Sequence, residues 1–306
     1  MELRPALRQV RDRVGTRWQR ARHGQRTLVL GYHRVAELDP DPFHLAVSPA
    51  HFEEHLEVLR AYGRPVLFAE IGQRQDADEQ VCITFDDGYA DNFHTARPLL
   101  EKHDVPWTLF VATGQIGSGR EFWWDQIGQI LDRPGATVAD LIELRGALYD
   151  ASPAEREVKL KTALGDAAGG PMRNTHAVMS ADELLALAAS PLVEIGAHTQ
   201  THPNLTALPP EEQRSEIAGS KQWLERLIGR PVTSFAYPFG AWSRTTAELV
   251  REAGFLRAAT TEEGCASQYS DPYATPRMLV GDCSGENLGR ALRKWFGRSP
   301  AGPRFG

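Results

Sequence analysis

Two short stretches of this sequence hold residue types that could carry out hydrolytic chemistry. The first is Thr84-Phe85-Asp86-Asp87-Gly88-Tyr89 and the second is His198-Thr199-Gln200-Thr201-His202. Each follows an apolar run, 81–85 and 192–197, that reads as a buried strand. Polar side chains at the carboxyl ends of strands are where α/β folds assemble active sites. One carboxylate and two imidazoles offer three ligands to a divalent ion, and the second carboxylate is left for proton transfer. Either stretch alone is a weak signal, because Asp-Asp-Gly is commonly a turn and His-x-x-x-His commonly a chance pair. Together, each behind a buried strand, they point to a hydrolytic metal site.

The elements that must position these residues alternate along the chain. Residues 27–33 read as a first strand, and 49–62 as a helix capped by Ser48 with Phe52, Leu56 and Leu59 at helical spacing. The strand 81–85, a helix over 90–103 and a strand over 106–112 continue a βαβ rhythm. The rhythm breaks over 114–178, where helical composition dominates: 138–149 and 153–164 predict helices, and Gly169-Gly170-Pro171 predicts a break. It resumes with a helix over 181–189, the histidine-bearing strand, a helix over 209–228 ended by Gly229, a short strand over 234–237 and a helix over 245–253. Strands at 257–260 and 276–280 complete it. The pattern predicts a (β/α) barrel with a helical insertion at about 114–178.

With Phe85 ahead of the acid pair and Gly88-Tyr89 behind it, the motifs resemble those of the polysaccharide deacetylases, carbohydrate esterase family 4. That family carries a T-F-D-D-G motif, an H-[ST]-x-x-H motif and a later proline-containing oxyanion motif, matched here by Phe235-Ala236-Tyr237-Pro238-Phe239-Gly240. The resemblance runs from about Leu28 to about Val280 and is nearest a branch with an N-terminal Tyr-His, here Tyr32-His33, and a Tyr-Pro-x-Gly motif. It implies a distorted, incompletely regular barrel. It assigns Asp87, His198 and His202 to the metal, Asp86 to the general base, and the backbone N–H of Tyr237 to the oxyanion.

The sequence departs from the family twice. Many relatives hold the base with an arginine two residues before the tyrosine; Phe235 stands there, and Arg277 is the candidate replacement. Many relatives also protonate the leaving group with a late histidine, whereas no histidine follows His202. His33, at the end of the first strand, is the candidate acid. Tyr89, Trp123 and Trp124 are candidates to stack on sugar faces, with Pro238 and Phe239 beside them. A His-His-Asp set with an open position favours one zinc ion; cobalt, nickel and iron share the ligand chemistry. The expected activity is removal of an acetyl group from an N-acetylated amino sugar in a glycan or glycolipid. O-acetyl ester cleavage, a non-sugar amide substrate and a catalytically silent glycan binder are the alternatives.

The 306 residues carry a formal net charge of −6. Residues 1–26 form a basic arm and 286–306 a basic helix and tail, so the intervening domain, 27–285, is acidic. That distribution argues against a nucleic-acid groove and allows the ends to touch an anionic membrane surface. Cys82, Cys265 and Cys283 are too few and too scattered for a disulfide framework, and no secretory leader or membrane span is evident. The expected location is cytoplasmic, with the basic ends either solvated helices or in peripheral contact with the inner membrane face.

Overall fold

A computed structural model describes residues 25–73, 79–165, 168 and 172–296. Eleven strands lie among these residues: β1 (Arg26–Tyr32), β2 (Arg34–Val35), β3 (Ala46–Val47), β4 (Arg64–Pro65), β5 (Gln80–Phe85), β6 (Trp107–Val111), β7 (Val193–Ala197), β8 (Ser234–Ala236), β9 (Arg257–Ala259), β10 (Ala266–Ser267) and β11 (Met278–Leu279). The main sheet has the order β10-β1-β5-β6-β7-β8-β9, with β4 beside β5 and β11 beside β1. Its pairings are parallel except that of β1 with β10. The two ends meet through a short seam. Ala259 of β9 bridges Thr275, and a few residues later Met278 and Leu279 pair with Leu30 and Gly31 of β1. The result is a distorted (β/α) barrel.

Alternation along the strands divides the core in two. Leu28, Leu30, Val81, Ile83, Leu109 and Ile195 pack outward under the helices. Val29, Cys82, Phe110, Ala236 and Ala259 form the second cluster, inside the sheet. This is the period-2 geometry of a strand buried on both faces. The same parity carried past the strand ends puts His33, Asp86 and His198 on the inward side, at the carboxyl-terminal mouth.

The helices among the described residues are α1 (Pro49–Tyr62), α2 (Arg97–Lys102), α3 (Trp123–Gly128), α4 (Val138–Tyr149), α5 (Pro153–Leu164), α6 (Ala181–Ala188), α7 (Pro210–Ile228), α8 (Arg244–Glu252) and α9 (Gly285–Phe296). Helices α3 to α5 fall between β6 and β7, within the stretch expected as an insertion. Capping boxes at Thr137/Asp140 and Ser152/Glu155 start α4 and α5. The continuous helix expected over 90–103 is instead a π-helical turn, Asn92–Ala96, running into α2. There the Arg97 N–H reaches back to the Asn92 carbonyl, and Pro98 has no N–H to restore the α pattern. Residues 1–24 of the basic arm and 297–306 of the tail, on which the membrane expectation mostly rests, lie outside the described residues.

Candidate active site

Strain collects at the mouth of the barrel. Non-glycine residues with left-handed φ are Asp87 (76°), Thr199 (65°), His202 (53°) and Phe239 (59°), with His44 and Asp104 elsewhere. Each left-handed residue costs of order 1–3 kcal/mol, and such strain persists where the surroundings over-determine it. At Asp87 the consequence is geometric. Neighbouring residues in a strand point to opposite faces, but the backbone turns after Asp86 and brings Asp87 to the cleft as well. The turn is closed by the Gly88 N–H on the Asp86 carbonyl (3.0 Å), and Gly88 itself has φ of 100°.

Asp87, His198 and His202 converge. The His202 Nε2 lies 3.1 Å from the His198 Nε2 and 3.5 Å from Asp87 Oδ1, which is 3.8 Å from the His198 Nε2. Ligands about 2.0–2.1 Å from a tetrahedral ion are spaced about 3.4 Å apart, so this triangle fits one. His198 Nδ1 sits 2.8 Å from the Ala236 carbonyl, which fixes the tautomer and turns the Nε2 lone pair to the cleft. Burial lowers His198 to about 4 and takes His202 well below its ordinary value, so both rings are neutral, as ligands must be. Burial, then Asp86 and Asp125, push Asp87 well up, and its Oδ1 has no hydrogen-bond partner among the described residues. An orphaned buried carboxylate oxygen facing two imidazole lone pairs is a donor set that calls for a cation.

Asp86 is bound differently. Arg277, fully buried, grips it with two parallel bonds, Nη1 to Oδ1 and Nη2 to Oδ2, both 2.8 Å. The Arg277 Nε donates to the Thr260 carbonyl (2.9 Å). Burial would raise the Asp86 carboxyl, but Arg277 and then His198 outweigh it and hold it at about 2. Arg277 thus occupies the place that the sequence leaves vacant at Phe235, which is buried in the aromatic core with Tyr237 and Phe255.

His33 is half-buried between β1 and β2. Burial lowers its pKa against the pull of Asp86, and its charge bears on Asp86, His198 and His202. Its backbone carbonyl accepts from the Asn92 side chain (2.9 Å).

Three expectations require correction. The Tyr237 N–H does not face the cleft: it donates to the Ala259 carbonyl (3.1 Å), extending the β8–β9 ladder. The next free donor is the N–H of left-handed Phe239, for which no hydrogen bond forms among the described residues; Pro238, buried, has none to give. Secondly, Tyr89, Trp123 and Trp124 offer no open face to a sugar, being at most 5% exposed. Trp124 stacks on Phe122 (4.5 Å), sets its edge against His202 (4.6 Å) and donates to the Tyr89 hydroxyl (2.7 Å), which donates to Asp125 (2.7 Å). Trp123 lies under the Arg156 guanidinium (4.8 Å). These rings are a wall behind His202. Thirdly, the two threonines between the histidines, which the sequence suggests bond locally to hold their loop, differ: Thr201 bonds to Glu216 of α7 (2.7 Å), whereas Thr199 accepts locally from the His202 N–H (3.0 Å). Of the other motif residues, Phe239 is half-buried, with its ring 4.6 Å from those of His202 and Tyr149.

Sequence reading missed Asp125, Arg156 and Glu216. The run Trp123-Trp124-Asp125 falls early in the stretch expected as an insertion; nothing in it showed that the acid would sit beneath the site.

Comparison with known proteins gives the family and the fold. The profile of the polysaccharide deacetylase family matches residues 73–140 and 164–258. The Bacillus subtilis protein YxkH is 24% identical over 269 residues, covering 86% of this chain and 74% of its own. The poly-beta-1,6-N-acetyl-D-glucosamine N-deacetylase of Staphylococcus aureus is 21% identical over 288 residues, covering 88% of this chain and 83% of its own. Among solved structures, the Streptococcus pyogenes deacetylase PplD in complex with acetate superposes with a TM-score of 0.59 at 21% identity, over 86% of this chain and 96% of that one. IcaB from Ammonifex degensii gives 0.59 at 22% identity, over 87% and 96%. The structural likenesses carry the fold.

Proposed function

This chain belongs to the polysaccharide deacetylase family, and we propose that it is a metal-dependent N-deacetylase that removes acetate from an N-acetylated amino sugar in a glycan or glycolipid. The observation that carries the reading is the convergence of Asp87, His198 and His202 within 4.8 Å of one another, beside an Asp86 gripped by Arg277. A divalent ion held by these three, zinc by preference, would acidify a water and polarise the acyl oxygen.

The chain's own groups supply the rest. Asp86 takes the proton of the attacking water. Arg277 holds both its oxygens, so the carboxylate stays ionised and in one orientation. The Phe239 N–H replaces that of Tyr237 as donor to the developing oxyanion, and its left-handed backbone is the strain that frees it. His33 gives a proton to the leaving nitrogen. Because burial keeps that imidazole neutral at rest, it must first gain the proton, and Asp86 is the near group that favours its charged form.

The neutral resting state of His33 also favours a second reading, O-acetyl ester cleavage, since an alkoxide leaving group depends less on an acid. The glycan chemistry draws support from the S. aureus relative, whose name specifies a poly-N-acetylglucosamine. The basic ends touch an anionic membrane surface from the cytoplasmic side, a location supported by three free cysteines.

Acetate release from a panel of N- and O-acetylated sugars, with and without chelator, tests the function. N-acetyl substrates are cleaved and chelator abolishes it; turnover of O-acetyl substrates alone selects the esterase, and full turnover in chelator removes the metal. In His33→Ala, amide cleavage falls far more than cleavage of an activated acetyl ester. Equal losses would make His33 a structural residue.

A further inference from the structure

The loop that carries both histidines is held from two sides by single charges. On one side Glu216 of α7 accepts the backbone N–H groups of Gln200 (2.8 Å) and Thr201 (2.9 Å) and the Thr201 hydroxyl (2.7 Å). On the other side Arg156 of α5 reaches the carbonyls of Thr201 (3.5 Å) and His202 (3.3 Å) through Nη1. The same guanidinium donates to Leu148 O through Nε (3.4 Å) and to Ala151 O through Nη2 (3.3 Å), so it ties α4, the α4–α5 turn and the histidine loop together. It lies over the Trp123 ring and is 4% exposed.

Burying a cation without a carboxylate on its fork is costly, and burying it beside two imidazoles that await a divalent ion is costlier, since like charges repel. Among the described residues every hydrogen-bond acceptor of Arg156 is a backbone carbonyl, and no carboxylate is on its fork. Burial lowers the guanidinium to about 10, outweighing the pull of the Glu216 carboxylate across the loop, which favours its charge. Geometry gives it a use. Thr199 and His202 have left-handed φ of 65° and 53°, a strained shape in which the loop's own bond from the His202 N–H to the Thr199 hydroxyl is one restraint. The planar fork spreads its donors over four carbonyls on three segments, whereas the three donors of a lysine radiate from a single nitrogen.

Resting on the reading of Asp87, His198 and His202 as metal ligands, we propose that Arg156 is a positioning residue of the metal centre. With Glu216 it clamps the backbone of the His198–His202 loop, so that the helical insertion is a working part of the site.

The test is metal affinity and ligand geometry in the folded full-length chain. Zinc dissociation constants and the visible absorption of the cobalt-substituted protein are measured for wild type, Arg156→Lys, Arg156→Met and Glu216→Ala. A Leu288→Ala variant, altered in α9 far from the loop, serves as the control for general destabilisation. Loss of a group that orients a ligand typically weakens metal binding about 10–100-fold. That loss, with altered cobalt bands, is expected in both Arg156 variants and in Glu216→Ala, with the control unchanged. Arg156→Lys keeps the charge and decides the matter should Arg156→Met not fold. Wild-type affinity and spectrum in Arg156→Lys, or tighter zinc binding in Arg156→Met, would overturn the clamp. Absence of metal binding by the wild type would instead overturn the reading beneath it.

Discussion

Asp86 and Asp87 are chemically identical neighbours, and the backbone makes them different. Asp86 keeps the inward parity of β5 and meets a guanidinium; Asp87, turned by its left-handed φ, meets two neutral imidazoles. Their environments accordingly push their pKa values apart, which is how one site divides labour between two carboxylates. Asp86→Asn should therefore bind metal as the wild type does while turnover falls about 10²–10⁴-fold, the usual contribution of a general base. Asp87→Asn should lose the metal itself. Metal analysis of both purified variants beside their rates checks this, and identical behaviour would refute the division. A third carboxyl, Asp125, is raised to about 7 by burial, against the lowering pull of the Tyr89 hydroxyl. The sign follows from linkage. The unfolded chain releases this proton near pH 4 and the folded chain near pH 7, so the folded state binds more protons between those values and stability falls as pH rises through that window. The rise from the ordinary range to about 7 amounts to about 4 kcal/mol. Urea unfolding of the metal-free protein should show wild type losing ground to Asp125→Asn from pH 4 to 7 and no further above it. A constant difference between the two would mean that Asp125 is ionised in the fold.

Each element is shaped by what it must leave room for. Gly196 sits on the inward face of β7, and a Cβ there would lie 2.5 Å from Phe110 Cδ1 and 3.0 Å from the Ser234 carbonyl. Phe110 fills the barrel below the site, and Gly196 lies two residues before His198. Gly196→Ala should thus destabilise the protein by about 1–3 kcal/mol, the usual cost of overpacking, and displace His198 as well. A shifted unfolding midpoint together with weaker metal binding would show both effects; an unaltered midpoint would mean that the core is looser than it looks. The same strand illustrates what sequence could and could not reveal. The apolar run 192–197 and the two histidines behind it were legible, because burial on both faces and strand-end polarity leave a local signature. So were α1, α4, α5 and α7, whose periodicity and caps are written in their own residues. The strand expected at 276–280 was legible as well, and β11 lies within it; that it would close the sheet onto β1, the other two-residue strands and the insertion's clamp on the histidine loop were not, for they depend on partners far along the chain. Arg277 could be nominated from a missing arginine at Phe235, but its bidentate grip joins positions 191 residues apart. Tyr237 shows the converse: its motif was legible, yet a ladder bond to β9 decided where its N–H points.

At the scale of the molecule, a metal at this site is a cross-link. Its ligands come from the end of β5 and the end of β7, with β6 and the whole helical insertion strung between them. Closing so long a loop in the folded state, and not in the unfolded one, makes ion binding a term in global stability rather than a local adjustment. The size follows from mass action: free ion at 100 times its dissociation constant adds about 2.7 kcal/mol. For a domain of this length each kcal/mol moves the melting temperature by roughly 2–4 °C, so a rise of about 5–11 °C is expected when zinc is added to the metal-free protein. The rise should grow with the logarithm of zinc concentration and reverse with chelator. His198→Ala/His202→Ala should melt at one temperature with or without zinc, because Asp87 alone cannot bridge the two strands. Calorimetry on both proteins over a zinc series separates the possibilities. A zinc-dependent rise that survives in the double variant would place the stabilising ion elsewhere on the acidic body, and a wild type indifferent to zinc would remove the cross-link from the account.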